Sequence, residues 1–296
     1  MSDALLDQCL VHALVAAKKA GEAILTVYQG EFAIDYKEDE SPLTLADKRA
    51  HRIIQGCLTA EPLSRIGVLS EEGRHIPYEE RERWEHLWVV DPLDGTKEFI
   101  KRRGEFTVNI ALIQQNRPIL GVVLLPVKGL VYFAAEGIGS YKLEELEMIE
   151  RLHHGEEGFP QNALPLHRVV AASKPLPLHD STPNTRGKLT IVGSRSHATE
   201  TLTDFVGTMR QRYGEVDFTP AGSSLKFCRV AEGSADLYPR YGPTMEWDTA
   251  AGHCVVEQSG GLVLQVEGRI PLQYNKKDLY NPHFICIGKH SRDLRL

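Results

Sequence analysis

Asp91 and Asp94 stand three residues apart in the run 87–100, LWVVDPLDGTKEFI. An apolar strand leads straight into Asp91, and Pro92 ends its ladder because it has no N–H to donate. Two carboxylates on a tight turn at the end of a buried strand repel each other unless a cation neutralises them. Hard oxygen donors of this kind suit Mg²⁺, which binds through a few carboxylates, waters and substrate phosphates. Gly95 lets the backbone approach a ligand closely. The N–H groups of Gly95 and Thr96, where they open a helix, point at a phosphate. The plain alternative is an Asx-turn, in which each aspartate caps its own backbone.

Four further acids bear on that choice, and each has an ordinary reading of its own. Glu71 and Glu72 follow a short apolar run and could be exposed charges. Asp248 opens a helix as an N-cap, although the small residues Ala250, Ala251 and Gly252 behind it permit a close approach of chain or ligand. Asp47 is the acid of a capping box that begins at Thr44. Glu71, Asp91, Asp94 and Asp248 each fall at the end of an element. Together they read as a multi-carboxylate metal site.

The elements that must carry these residues follow from periodicity. Residues 2–28 read as a helix capped by Ser2, with Leu6, Leu10, Ala13, Leu14, Ala17 and Ile24 at helical spacing. A hairpin or loop over 31–41 precedes a second helix at 44–60. The period then shortens: 66–69, 87–90, 108–113, 119–125 and 130–134 are β-rich runs between turn signals. Residues 143–165 form a charged, partly helical excursion, and the proline-rich 174–188 a loop near a boundary. Beyond it strands at 189–193, 215–219, 235–238 and 262–266 alternate with helices at 199–213, 224–232 and 248–258, the pattern of a layered α/β half.

Composition narrows the class. The 296 residues are 42% hydrophobic and 25% charged with a formal net charge of −6, which offers no basic stripe for a nucleic acid. The five cysteines are widely spaced, so CxxC redox and zinc-knuckle motifs are excluded. They also lack an activating partner in these motifs, which disfavours a cysteine phosphatase. No Walker A loop occurs. No apolar run reaches the ~18 residues needed to span a bilayer. The expectation is a cytoplasmic enzyme, with peripheral attachment to a membrane left open.

DPLDGT at 91–96, Ser70-Glu71-Glu72, and WDTAAG at 247–252 resemble the inositol monophosphatase superfamily of Li⁺-sensitive, Mg²⁺-dependent phosphatases, in order and spacing across nearly the whole chain. Within it, GTKEFIKR at 95–102 and GSSLKFCRVAEGSADLYPRYGPTMEWDTAAGH at 222–253 are similar to the bacterial 3′(2′),5′-bisphosphate nucleotidases. The resemblance implies an α/β fold, a layered αβαβα sandwich. An α+β half at 1–175 would carry most metal ligands, and an α/β half at 176–296 the nucleotide-binding residues and Asp248.

It also implies roles. Glu71, Asp91 and the carbonyl of Leu93 hold one Mg²⁺. Asp91, Asp94 and Asp248 hold a second, and Glu71 helps with a weaker third. Asp47 and Thr96 orient and deprotonate the attacking water. The amides of Gly95 and Thr96 cradle the scissile phosphate among those metal ligands. Ser223, Lys226, Arg240 and His197 contact the nucleotide and its second phosphate. The implied reaction is hydrolysis of the 3′-phosphate of adenosine 3′,5′-bisphosphate. An inositol or sugar phosphatase of the same fold is the alternative among enzymes. A catalytically silent metal or nucleotide sensor is the alternative outside them.

Overall fold

The computed structural model describes residues 1–30, 34–36, 42–152, 164–179, 182–183, 187–194 and 199–296. The N-terminal helix runs Asp3–Gln29, and the Ser2 hydroxyl accepts from the Leu5 N–H at 3.4 Å. Its apolar stripe (Leu6, Leu10, Ala13, Leu14, Ala17 and Ile24) is buried. Helix Leu45–Leu58 packs beside it and contributes Ala50, Ile54 and Leu58 to the same core. Both helices lie on one face of a seven-stranded sheet.

That sheet runs from edge to edge as Gly67–Ser70, His86–Asp94, Thr107–Gln114, Arg117–Leu125, Leu130–Ala135, Gly139–Leu143 and Lys174–Pro175. Only the first pair is parallel; the rest is an antiparallel meander. Along His86–Asp94, Trp88 and Val90 join the helices just described, whereas Leu87 and Val89 face the opposite side. Burial on both faces is why this strand reads as a continuous apolar run instead of an alternating one.

The opposite face is covered by helices Leu225–Ala231 and Glu246–Gln258. The longer one presses so closely that a Cβ on Gly121 would sit 2.4 Å from the Ala251 carbonyl and 2.8 Å from the Cys254 Cβ. These helices are sandwiched by a second sheet of five strands, ordered Val216–Ala221, Leu189–Ser194, Leu237–Arg240, Phe284–Ile287 and Leu262–Gln265. Helix Glu200–Tyr213 seals its outer face with Leu202, Val206 and Met209. The result is an αβαβα sandwich with three buried apolar clusters: one under the first helix pair, one around the middle helices reaching both sheets, and one under helix Glu200–Tyr213. The first sheet ends at Pro175 and the second begins at Leu189.

Several boundaries differ from the sequence reading. The last helix begins at Glu246, two residues before the expected start, because the N-cap is Met245. Strands Gly139–Leu143 and Phe284–Ile287 carry too little periodicity to stand out. The 31–41 hairpin is represented by an antiparallel pair, Ile34–Tyr36 with Pro42–Thr44. Of the 143–165 excursion, 153–163 lie outside the described residues, and Glu147–Glu150 is a single helical turn. Among the described residues no helix is long and apolar enough to cross a membrane.

Candidate active site

The strand carrying Asp91 pairs it with Asn109 and then slips register before Asp94 pairs with Thr107. A bulge of this kind re-aims side chains at a strand end, and here it lets two aspartates three residues apart serve one region. Asp91 is buried, and its Oδ1 accepts from the Leu93 N–H at 3.0 Å. Glu71 follows the neighbouring parallel strand and is tied to it by a Glu71 N–H to Val90 carbonyl bond of 3.1 Å. Asp248 arrives from the other half of the molecule, in the first turn of the sandwiched helix. Its carboxylate is the acid of a capping arrangement, accepting from the Met245 N–H at 2.8 Å. Asp248 is thus the third helical residue, not the N-cap.

One oxygen from each of Glu71, Asp91 and Asp248 lies within 4.8 Å of the others. The electrostatic cost is visible in their titration. Burial, then Glu71, Asp94 and Asp248, push the Asp91 carboxyl well above the usual range. Burial, then Asp94 and Glu71, push Asp248 up to about 8. Converging, desolvated carboxylates that resist ionisation are what a divalent cation relieves. The donor set is all oxygen, which fits Mg²⁺ rather than zinc or copper.

Asp94 stands beside this trio and not within it. Its Oδ2 accepts from Ser224 Oγ at 3.0 Å and, at 3.4 Å, from Thr107 Oγ1 and Asn109 Nδ2. Ser224 Oγ also lies 2.8 Å from the Asp248 carbonyl, so one hydroxyl sits between two of the expected ligands. Sequence reasoning missed Ser224 and Asn109. The signal for Asn109 was present, a polar residue inside the apolar strand 107–114.

Asp47 and Thr96 come together although 49 positions apart. Asp47 is buried and divides its two oxygens. Oδ2 accepts from the Thr44 N–H at 2.7 Å and the Thr44 hydroxyl at 2.5 Å, completing the expected capping box. Oδ1 lies 3.3 Å from the Thr96 hydroxyl, which is equally 3.3 Å from the Leu93 carbonyl. Thr96 begins a short helix, Thr96–Ile100, and Gly95 caps it with a φ of 94°. That left-handed conformation, and the 3.2 Å separation of a hypothetical Cβ from the Glu105 carbonyl, explain the glycine.

These groups open into a cavity of about 380 Å³ lined by Glu71, Asp94, Gly95, Thr96, Ser223, Lys226, Arg240 and Asp248 among others. Lys226 is 6% exposed, donates to the Ser223 carbonyl at 2.5 Å and lies 5.4 Å from the Tyr238 ring centre. Burial lowers its ammonium to about 8, partly offset by Asp94. Arg240 donates to the Pro243 carbonyl at 2.9 Å, but its Nε and the Ser223 Oγ are buried with no protein partner. Unsatisfied donors facing a cavity are groups a ligand can satisfy. Glu98 and Tyr238 also line this wall, and no sequence motif had singled out Tyr238. His197 lies outside the described residues.

Fold and site together define a class. The inositol monophosphatase family model matches residues 5–292, and the chain belongs to the inositol monophosphatase family. Among individual relatives, it is 43% identical to the 3′(2′),5′-bisphosphate nucleotidase CysQ of Salmonella typhimurium over 272 residues, covering 90% of this chain and 95% of that protein. The enzyme of the same name from Escherichia coli K12 is 44% identical with the same coverage. The crystal structure of CysQ from Bacteroides thetaiotaomicron superposes with a TM-score of 0.80 at 45% identity, covering 94% of this chain and 96% of that one. The inositol monophosphatase from Anabaena shares the fold at 21% identity and a TM-score of 0.66.

Proposed function

We propose that the chain is a Mg²⁺-dependent phosphomonoesterase that removes the 3′-phosphate of adenosine 3′,5′-bisphosphate, giving AMP and phosphate. One observation carries the chemistry: the oxygens of Glu71, Asp91 and Asp248 converge within 4.8 Å at a cavity that also holds Lys226 and Arg240. The similarity to the CysQ nucleotidases supports the substrate.

In this reading Glu71, Asp91 and the Leu93 carbonyl would hold one Mg²⁺, Asp91, Asp94 and Asp248 would hold a second, and Glu71 would help with a weaker third. Bound Mg²⁺ supplies charge neutralisation at the phosphate and lowers the pKa of a water. The residues do the rest. The Thr96 hydroxyl donates to Asp47 Oδ1, which leaves its lone pairs to accept a proton from the attacking water. Asp47 is fixed for this by its two bonds from Thr44. The Gly95 and Thr96 amides bind the oxygens of the phosphate under attack. Lys226 and Arg240 provide charge-assisted bonds to the second phosphate, and Arg240 Nε gains the acceptor it lacks. No covalent phosphoenzyme is required. Li⁺ inhibition, by occupation of a metal position, belongs to the same reading; full turnover in high Li⁺ would count against it. All five cysteines are free thiols, which fits a reducing, cytoplasmic setting.

The test is phosphate release from adenosine 3′,5′-bisphosphate with Mg²⁺ and with EDTA, beside myo-inositol 1-phosphate. Mg²⁺-dependent release from the nucleotide alone is expected. The reverse preference keeps the metal chemistry and moves the substrate to the inositol branch. No release from either leaves a metal or nucleotide sensor.

A further inference from the structure

Glu246 is a carboxylate with no exposure at all, two residues ahead of Asp248, and no part of the chemistry above uses it. It accepts from the Asn275 N–H at 2.6 Å, the Lys276 N–H at 2.9 Å and the Lys276 ammonium at 2.6 Å. All three donors come from one loop. The same loop returns to the turn before Asp248 three more times. The Glu246 N–H donates to the Leu279 carbonyl at 3.0 Å, and the Asn281 N–H to the Thr244 carbonyl at 2.8 Å. Asn281 Nδ2 lies 2.8 Å from the Met245 carbonyl. Met245 is the residue whose N–H holds the Asp248 carboxylate.

The start of the same loop also grips the segment that follows Glu71. Arg81, 2% exposed, closes the short helix Tyr78–Arg81 that follows Glu71 by a few residues. Its Nη1 donates to Asn275 Oδ1 at 2.7 Å and its Nη2 to the Lys277 carbonyl at 3.2 Å. Asn275 Nδ2 donates back to the Arg81 carbonyl at 2.9 Å. Asn275 takes a φ of 60°, a left-handed conformation that asparagine tolerates better than most residues. One loop is therefore bonded to the segment after one expected metal ligand and to the turn before another. Those ligands come from opposite halves of the chain.

We propose that loop 275–281 is a latch that sets the separation of Glu71 from Asp248, with Arg81, Asn275 and Glu246 as positioning residues. None of the three lines the cavity or belongs to the converging carboxylate trio. A buried hydrogen-bonded network of this kind orients ligands from outside the coordination sphere. The inference rests on the metal assignment above.

Two variants separate the links. Asn275→Gly keeps the left-handed backbone and cuts the side-chain bonds to Arg81. Glu246→Gln keeps the shape and sets an amide against a ring of donors. Mg²⁺ binding to the full chain without substrate, measured by calorimetry, is expected to weaken roughly tenfold in each. Excess Mg²⁺ then restores turnover, and KM for substrate at saturating Mg²⁺ stays at the unaltered value. Unchanged Mg²⁺ affinity in both variants, whatever happens to their melting temperatures, reduces the network to folding and overturns the latch. Should either variant fail to fold, Arg81→Lys supplies the same readout, since lysine keeps the charge and loses the two-pronged grip. No Mg²⁺ binding by the unaltered chain would overturn the metal assignment itself, and the latch with it.

Discussion

At the scale of single residues, Asp91 concentrates the most consequence. It is the most buried of the converging carboxylates, and its neighbours Glu71, Asp94 and Asp248 all oppose its ionisation. Asp91→Asn keeps the volume and removes the charge that attracts a cation. Turnover is expected to fall by about a hundred- to a thousandfold, the scale of removing one catalytic electrostatic group; near-normal turnover with unchanged Mg²⁺ dependence sinks the assignment. Lys226 makes a second expectation with a defined pH window. Its ammonium titrates at about 8, so it carries charge below that pH and loses it above. The ratio kcat/KM for the bisphosphate should decline as pH rises past 8, because this ratio reports the free enzyme. Lys226→Ala should weaken the bisphosphate more than a monophosphate and abolish the difference in pH profile. Equal losses for both substrates would remove Lys226 from the second phosphate.

At the scale of elements, the sandwiched helix Glu246–Gln258 decides whether Asp248 reaches its partners. Its close approach to the first sheet depends on the absent side chain at Gly121. Gly121→Ala forces a methyl group against the Ala251 carbonyl and Cys254, a backbone contact that cannot swing aside. Overpacking of this kind costs about 1–3 kcal/mol. A lower melting temperature should come with a loss of activity larger than the stability change explains, since the shift also displaces Asp248. Full activity at unchanged stability would mean the helix has room that the geometry denies.

The same helix shows what a sequence can and cannot disclose. Its small residues Ala250, Ala251 and Gly252 gave away a close approach, and DPLDGT gave away a carboxylate turn. Thr44 and Asp47 disclosed their cap because the capping box is local in sequence. The pairing of Thr96 with Asp47 was legible only through the family resemblance, and the placement of Asp94 beside rather than within the trio was not legible at all, because both depend on how distant segments meet. Strand Phe284–Ile287 was invisible for a similar reason. It pairs antiparallel with strands 237–240 and 262–265 and is buried throughout, so no alternation marks it. The bonds from loop 275–281 to Arg81 and Glu246 likewise join segments far apart in sequence.

At the scale of the whole molecule, acid sensitivity follows from a buried histidine between layers. His253 lies 2.9 Å from the Tyr274 hydroxyl through Nδ1, and burial lowers its pKa from 6.5 to about 3. The folded chain therefore keeps it neutral where the unfolded chain would protonate it. Its stabilising contribution is intact above pH 6.5 and drains away as pH falls from 6.5 towards 3. Thermal melts of His253→Gln across that window should show a flatter acid limb than the unaltered chain. An identical limb would assign the sensitivity to other groups.

The five-layer order has a temporal side. Glu71 and Asp91 are translated well before Asp248. Its helix becomes the middle layer of the finished molecule, and loop 275–281 comes later still. A nascent chain that has built the entire first sheet holds an incomplete set of carboxylates and has no wall of Lys226 and Arg240. The carboxylate set is complete only once the segment carrying Asp248 and loop 275–281 has left the ribosome and docked. Until that moment the emerging chain lacks one of the three converging carboxylates.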